Sequence, residues 1–191
     1  MDKTIEEYDS NASKWSDKFS KLSMERQIRK FMLYLGNNRK VLDIGCGAGK
    51  DVKFMIEHGL DAVGVDLSEG MLFEARLRVP TGKFIKMDIR QLEFGDSTFD
   101  GVWANASLLH LKKSEFLPAL KEVNRILRPS GLFFITMKEG TGEAMDGSRF
   151  FSYYSEIELT SILNKAGFDI LESHKGEFRG TVWINIFAKK K

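Results

Sequence analysis

Residues 41–50 read Val41-Leu42-Asp43-Ile44-Gly45-Cys46-Gly47-Ala48-Gly49-Lys50. The apolar run 41–44 predicts a buried strand, and three glycines at alternate positions follow it directly. Glycine tolerates positive φ angles and lets a ligand approach the main chain without meeting a Cβ. A helical pattern comes next, and a helix N-terminus offers unpaired N–H groups and a partial positive charge. The stretch therefore predicts a strand–turn–helix unit that binds a ligand at its turn.

The spacing of the glycines and the acid before them narrow the kind of ligand. A dinucleotide-binding turn has the pattern G-x-G-x-x-G, whereas here the third glycine, Gly49, comes one residue early. Asp43, at the strand end, would repel a diphosphate and would suit an ammonium group. Residues 42–49 resemble the first motif of the class I S-adenosylmethionine-dependent methyltransferases, in their small single-domain form. The resemblance implies S-adenosylmethionine as cofactor and S-adenosylhomocysteine as its product.

Acidic residues also end the next two predicted strands. Asp66 ends strand 61–66, which in a parallel sheet places its carboxylate where a ribose would lie. Asp88 follows strand 83–87, where the resemblance implies an acid that holds the adenine amine, and an aromatic near the N-terminus that covers the cofactor. The strand ends and the resemblance together predict these cofactor contacts: Tyr8, Trp15, Asp43, Gly45, Cys46, Gly47, Gly49, Asp66, Leu67, Met71, Met87, Asp88, Ile89, Asn105 and Ala106.

The segment after the fourth predicted strand carries the main candidate for catalysis. Residues 104–111 resemble the family's fourth motif, which lies beside the transferred methyl group. His110 is the natural base at neutral pH, with Tyr8 and Tyr153 as reserves. A base is needed only if the accepting atom arrives protonated.

Residues 138–151 have no periodicity and predict a loop that contacts the substrate. Arg149 follows that loop with Tyr153 and Tyr154 close behind. An arginine among aromatics could bind an anionic or aromatic substrate by pairing and stacking. The same pattern fits aromatics that pack under a helix beside a surface charge, so both readings stay open. With His110, these three residues are the predicted substrate contacts.

The order of strands and helices, together with the resemblance, predicts an α/β fold. We expect a doubly wound, seven-stranded, mostly parallel sheet in the order 3-2-1-4-5-7-6, closed by an antiparallel strand, in a three-layer α/β/α sandwich. Apolar spacing predicts an amphipathic helix over 11–35, either continuous or broken. Residues 1–36 are expected to form a helical lid, and 37–191 the methyltransferase domain, within one globular unit.

The composition is that of an ordinary globular domain. The chain has 191 residues, is 42% hydrophobic and 29% charged, and carries a formal net charge of +2. Its single cysteine, Cys46, excludes a disulfide framework and a thiol metal cluster, so no metal is expected. The polar start of the chain is unlike a signal peptide. We expect a cytoplasmic protein, monomeric or weakly dimeric, without a membrane partner.

The sequence leaves four candidate functions. The resemblance favours methyl transfer from S-adenosylmethionine to an N, O or S atom of a small molecule. A second is a tRNA methyltransferase, because Arg149-Phe150-Phe151 and Trp183 loosely resemble enzymes that methylate modified wobble uridines, and the helix at 11–35 is basic. A third is a cofactor-binding protein without catalysis. A nicotinamide-dependent oxidoreductase is disfavoured, since the glycine spacing differs and the chain lacks a Tyr-x-x-x-Lys pair.

Overall fold

The computed structural model describes residues 2–191, except for the side chain of Asp2. Helices form at α1 (Asp2–Ser10), α2 (Ala12–Ser20), α3 (Glu25–Leu35), α4 (Lys50–Glu57), α5 (Glu69–Arg78), α6 (Lys113–Ile126) and α7 (Glu156–Lys165), with a short 3₁₀ turn at Leu108–His110. Strands form at β1 (Lys40–Ile44), β2 (Asp61–Asp66), β3 (Lys83–Lys86), β4 (Phe99–Asn105), β5 (Leu127–Lys138), β6 (Glu143–Asp146), β7 (Arg149–Ser152), β8 (Phe168–Phe178) and β9 (Thr181–Lys190).

Within residues 2–191, seven strands form the main sheet in the order β3-β2-β1-β4-β5-β9-β8. The first five are parallel, and β9 lies antiparallel between β5 and β8. Strands β6 and β7 form a separate hairpin. When that hairpin is set aside, the order is the predicted 3-2-1-4-5-7-6, so the predicted fold is confirmed.

Apolar residues cover both faces of the sheet, as a doubly wound fold requires. On one face, α3, α4 and α5 contribute Phe31, Met55 and Leu72 to one core cluster. On the other face, α6 and α7 contribute Phe116 and Leu159 to a second cluster. The central strand β1 is therefore buried from Val41 to Ile44, which explains why all its residues in this stretch except Asp43 are apolar.

The structure defines one predicted segment more closely and corrects another. The amphipathic helix expected over 11–35 is broken into α2 and α3, and a further helix, α1, precedes them within the segment 1–36. The sequence of α1 is mostly polar, so apolar spacing gave little sign of it. The loop predicted over 138–151 contains the hairpin β6–β7; every residue of β6 is exposed, so the strand lacks the alternation that marks a half-buried strand.

The chain reverses its winding direction between β1 and β4, which are hydrogen-bonded neighbours. Helix α4 leaves β1 toward one face of the sheet and α6 follows β4 on the other. Such a switch point opens a crevice at the carboxyl ends of the strands, where ligands bind in open α/β sheets. None of the helices formed by the described residues combines the length and hydropathy that a membrane span requires.

Candidate functional site

A cleft of about 1050 Å³ lies at this switch point. Its volume is at the upper end of the roughly 300–1,000 Å³ typical of small-molecule sites, so it has room for two ligands side by side. Its floor comes from the glycine turn and the ends of β2, β4 and β5, and its roof from α1, α2 and the tip of the β8–β9 hairpin.

The glycine turn presents only part of its length to the cleft. Gly45 and Gly47 line it, and Gly45 donates its N–H to the Val65 carbonyl over 2.7 Å. Gly49 lies behind the turn as the residue that begins α4, with a φ of 74°. A Cβ there would come within 2.6 Å of the Phe84 ring. Gly49 therefore allows α4 to pack against the sheet, away from the cleft surface.

Asp66 ties the glycine turn to the next helix. Its carboxylate accepts the N–H of Gly47 over 2.8 Å and the N–H of Ser68 over 2.9 Å. Burial raises the pKa of Asp66, and these N–H groups oppose that rise. Each oxygen keeps a further lone pair, so the carboxylate at the cleft surface can still accept two hydroxyl groups.

Three carboxyl groups converge beneath the turn. Asp43 is only 2% exposed, and burial, followed by the charges of Asp51 and Asp66, raises its pKa well above the ordinary value. Asp51, in the first turn of α4, accepts hydrogen bonds from the Trp103 indole over 3.0 Å and the Asn105 amide over 2.9 Å. Lys50 also lines the cleft, and its Nζ lies 3.3 Å from Asp51 Oδ1. Three acids around one cation still suit a cationic ligand.

Asp51 was missed at the level of sequence. An acid in the first turn of a helix ordinarily complements the helix dipole, so nothing in its position marked it as part of a site. Only the fold brings it to the cleft beside Asp43.

The end of β4 is held in a strained conformation at the centre of the cleft. Ala106 has a φ of 53°, a left-handed conformation that costs a residue with a side chain about 1–2 kcal/mol. Its N–H donates to Thr136 Oγ1 over 2.9 Å, and that hydroxyl donates to Asn105 Oδ1 over 3.2 Å. The next residue, Ser107, also lines the cleft, and its buried Oγ has no partner among the described residues. This segment therefore contains a buried hydroxyl without a hydrogen-bond partner.

His110 and Tyr8 meet across the cleft. The Nε2 atom of His110 lies 3.1 Å from the Tyr8 hydroxyl, and Nδ1 lies 2.6 Å from the Phe150 carbonyl. A carbonyl only accepts, so Nδ1 carries the proton and the Tyr8 hydroxyl donates to Nε2. Burial, with the positive charges of Arg149 and Lys138, lowers the pKa of His110 to about 4. The imidazole is thus neutral at pH 7, with its lone pair already engaged.

The other predicted residues divide into two groups. The described lining of the cleft includes Cys46, Leu67, Met71, Asp88, Ile89 and Arg149. It does not include Gly49, Met87, Trp15, Tyr153 or Tyr154.

Each of the residues away from the lining has another environment. Met87 belongs to the hydrophobic core. Trp15 stacks on Phe19 and meets the Tyr8 ring edge-on, which supports Tyr8 from behind. Tyr154 is fully buried near Phe116, and Tyr153 packs beside the same core cluster.

The cleft also has lining residues that the sequence did not single out: Asp51, Thr136 and Asn185. Ser107, Lys138 and Trp183 also line it, although the sequence gave them no predicted contact with cofactor or small-molecule substrate. Several stand at the ends of β5 and β9, so only the order of strands in the sheet reveals them. Among the described residues, no group of three or more His, Cys, Asp or Glu side chains is arranged to hold a metal ion.

Comparison with known proteins gives the same family. A methyltransferase domain profile matches residues 41–131. An uncharacterized methyltransferase of Synechocystis sp. is 24% identical over 83% of this chain and 77% of its own length. Malonyl-[acyl-carrier protein] O-methyltransferase of Erwinia pyrifoliae is 31% identical over 77% of this chain. The match spans only 54% of that relative's length.

Solved structures share the fold over almost the whole chain. The 1,6-didemethyltoxoflavin-N1-methyltransferase of Burkholderia thailandensis, with 1,6-didemethyltoxoflavin and S-adenosylhomocysteine bound, has a TM-score of 0.85 at 24% identity, covering 98% of this chain and 87% of that one. Magnesium protoporphyrin IX methyltransferase of Synechocystis has a TM-score of 0.81 at 18% identity, covering 98% of both chains. At these identities the likeness establishes the fold.

Proposed function

Because the chain belongs to the class I S-adenosylmethionine-dependent methyltransferases, we propose that it transfers a methyl group to an N, O or S atom of a small molecule. The observation that carries the proposal is the convergence of Asp43, Asp51 and Asp66 around the glycine turn. S-adenosylmethionine carries a sulfonium and an ammonium group, and this acidic floor complements both charges.

The residues around the turn fit such a cofactor. Asp66 would accept the two ribose hydroxyls, since its oxygens keep free lone pairs. Asp43 and Asp51 would neutralise the ammonium group beneath the turn. Asp88 and Ile89 line the cleft beyond β3, where they would hold the adenine amine and cover one ring face. When bound, the cofactor supplies a methyl group already activated by its sulfonium.

The chain's own contribution would be orientation and exclusion of water. Holding the reactants in line can contribute about 7–11 kcal/mol to lowering the barrier. His110 is a weak base because its pKa is about 4 and the Tyr8 hydroxyl occupies Nε2. The acceptor would therefore arrive with a free lone pair, either as an anion or as a neutral amine, and the His110–Tyr8 pair would position it.

The proposal is tested by calorimetry with S-adenosylhomocysteine, followed by a screen for methyl transfer from labelled cofactor to metabolites and to tRNA. We expect saturable binding at one site and transfer to a small molecule. If the methyl group is transferred to tRNA, at a rate that falls steeply as salt rises, the acceptor is a nucleic acid and not a small molecule. Tight binding without transfer to any acceptor would favour a non-catalytic binding protein.

Asp66→Ala is expected to weaken S-adenosylmethionine binding about thirtyfold, or about 2 kcal/mol, because two hydrogen bonds to a charged group are lost. Calorimetry measures the change. The matched control is Asp61→Ala, which removes an exposed carboxylate from the other end of β2 and should leave the affinity unchanged. Equal affinities for the Asp66 variant and the parent would contradict the ribose assignment.

We also propose that α1 and α2 form a lid over the cleft. Asp9 Oδ1 accepts hydrogen bonds from Ser68 Oγ over 2.6 Å and from the Gly70 N–H over 2.9 Å, at the start of α5. On the opposite side of the cleft, Thr4 Oγ1 accepts the N–H of Phe150 over 2.9 Å. Helix α1 thus bridges both sides of the cleft.

Asp9→Ala should therefore speed the release of S-adenosylhomocysteine about fivefold to tenfold, because two hydrogen bonds of about 1 kcal/mol or less each are removed. Stopped-flow displacement measures the rate. Asp9→Asn keeps an oxygen acceptor and should release at nearly the parent rate. Release that is no faster from the alanine variant would argue against a lid.

A further inference from the structure

Two cations line the cleft on the side away from the strand-end acids. Asp43, Asp66 and Asp88 stand at the ends of β1, β2 and β3, whereas Lys138 and Arg149 line the cleft from β5 and β7. Both cations pack on one ring: Lys138 Nζ lies 3.7 Å from the centre of the Phe151 ring, and the Arg149 guanidinium carbon lies 5.1 Å from it. Two like charges are therefore held close together.

Few carboxylates of the protein lie close enough to neutralise these two cations. Among the described residues, no carboxylate comes within salt-bridge distance of Lys138, and the nearest to Arg149 is the exposed Asp146 at 3.6 Å. The Arg149 side chain is only 17% exposed. Burial and the charge of Arg149 lower the pKa of Lys138. Holding half-buried charges of one sign together costs free energy unless an opposite charge joins them.

Aromatic side chains surround the pair. Trp183 lines the cleft with its ring centre 5.9 Å from Lys138 Nζ, and the Arg149 guanidinium lies 4.3 Å from the Trp15 ring centre. Arg149 Nη1 is also 3.5 Å from the Tyr8 hydroxyl, which contacts His110. Aromatic rings thus form the walls around the two cations, and the strained residue Ala106 lines the same cleft.

We propose that this side of the cleft binds the methyl acceptor as a planar aromatic anion, whose charge lies between Lys138 and Arg149 and whose ring packs against Trp183. The inference rests on the proposed function, since it names the acceptor's chemistry. An anion brings its own lone pair to the reaction, so no strong base is required of His110.

The test uses 2-naphthoate and its neutral isostere 2-naphthamide, measured by calorimetry with S-adenosylhomocysteine at saturation. We expect the parent protein to bind naphthoate at least tenfold more tightly than naphthamide. Lys138→Met and Arg149→Met should each remove most of that preference, whereas Arg149→Lys, which keeps the charge, should retain it. Lys86→Met removes an exposed lysine of β3 and serves as the control for overall charge.

The outcomes separate this inference from the proposed function. Failure of S-adenosylhomocysteine to bind would contradict the function, whereas naphthoate measured alone would still report on the anion site. Equal affinities for the two probes, or no binding of either at millimolar concentration, would overturn the anion site. A loss of S-adenosylhomocysteine affinity in Lys138→Met without a change in naphthoate affinity would assign the cation to the cofactor's carboxylate and also overturn it.

Discussion

Gly45→Ala is expected to destabilise the fold by about 2 to 5 kcal/mol, the sum of about 1–2 for a left-handed residue and about 1–3 for overpacking. Gly45 has a φ of 71°. A Cβ built there would overlap the Cβ of Ser107 well inside van der Waals contact. Ser107 Cβ is fixed to the backbone that follows β4, so it has no rotamer by which to move away. Urea unfolding followed by circular dichroism measures the loss.

A variant at a second glycine separates the cost of the left-handed conformation from the cost of overpacking. Gly59, just after α4, has a φ of 84° and nothing within 4 Å of the place where a Cβ would stand, so Gly59→Ala should cost only the left-handed strain. The double variant Gly45→Ala/Ser107→Gly removes the overlapping atom and should approach the cost of Gly59→Ala. Equal losses for the two single variants would mean that the end of β4 does not press on the turn.

His110 should make the folded state acid-sensitive. Its pKa falls from the ordinary 6.5 to about 4 in the folded protein, chiefly through burial. Between these values the unfolded chain binds more protons, so the free energy of unfolding falls as pH falls through this window. The shift corresponds to about 3 kcal/mol, present above pH 6.5 and lost by about pH 4. Unfolding curves across this range, compared with His110→Asn, measure the difference.

The comparison with His110→Asn is needed because two buried carboxyl groups change the free energy of unfolding with pH in the opposite direction. Burial raises the pKa of Asp43 and Asp66, so their contributions weaken as pH rises, and they cancel in the difference. Tyr8→Phe frees Nε2 and should shrink the pH effect without abolishing it, because burial is the largest cause. A pH slope unchanged by His110→Asn would show that the imidazole is not held neutral.

Short-range sequence patterns were sufficient to predict most of the fold. The apolar run at 41–44, the glycine turn and the acid at position 66 follow from strand and turn chemistry, which acts over a few residues. Local pattern did not give the bounds of the elements where that chemistry is silent. Helix α1 is mostly polar and is fixed by distant contacts, such as those of Asp9 with the start of α5. Strand β6 is exposed and pairs only with β7.

The sequence by itself determined the family, the fold and the turn at which a cofactor would bind, because these depend on residues adjacent in the chain. Only the tertiary structure decided what surrounds that turn. It brought Asp51 beside Asp43, closed Tyr8 onto His110, and set Lys138 and Arg149 on one aromatic ring. Such contacts join residues far apart in sequence, so burial and charge at the site depend on how the layers pack.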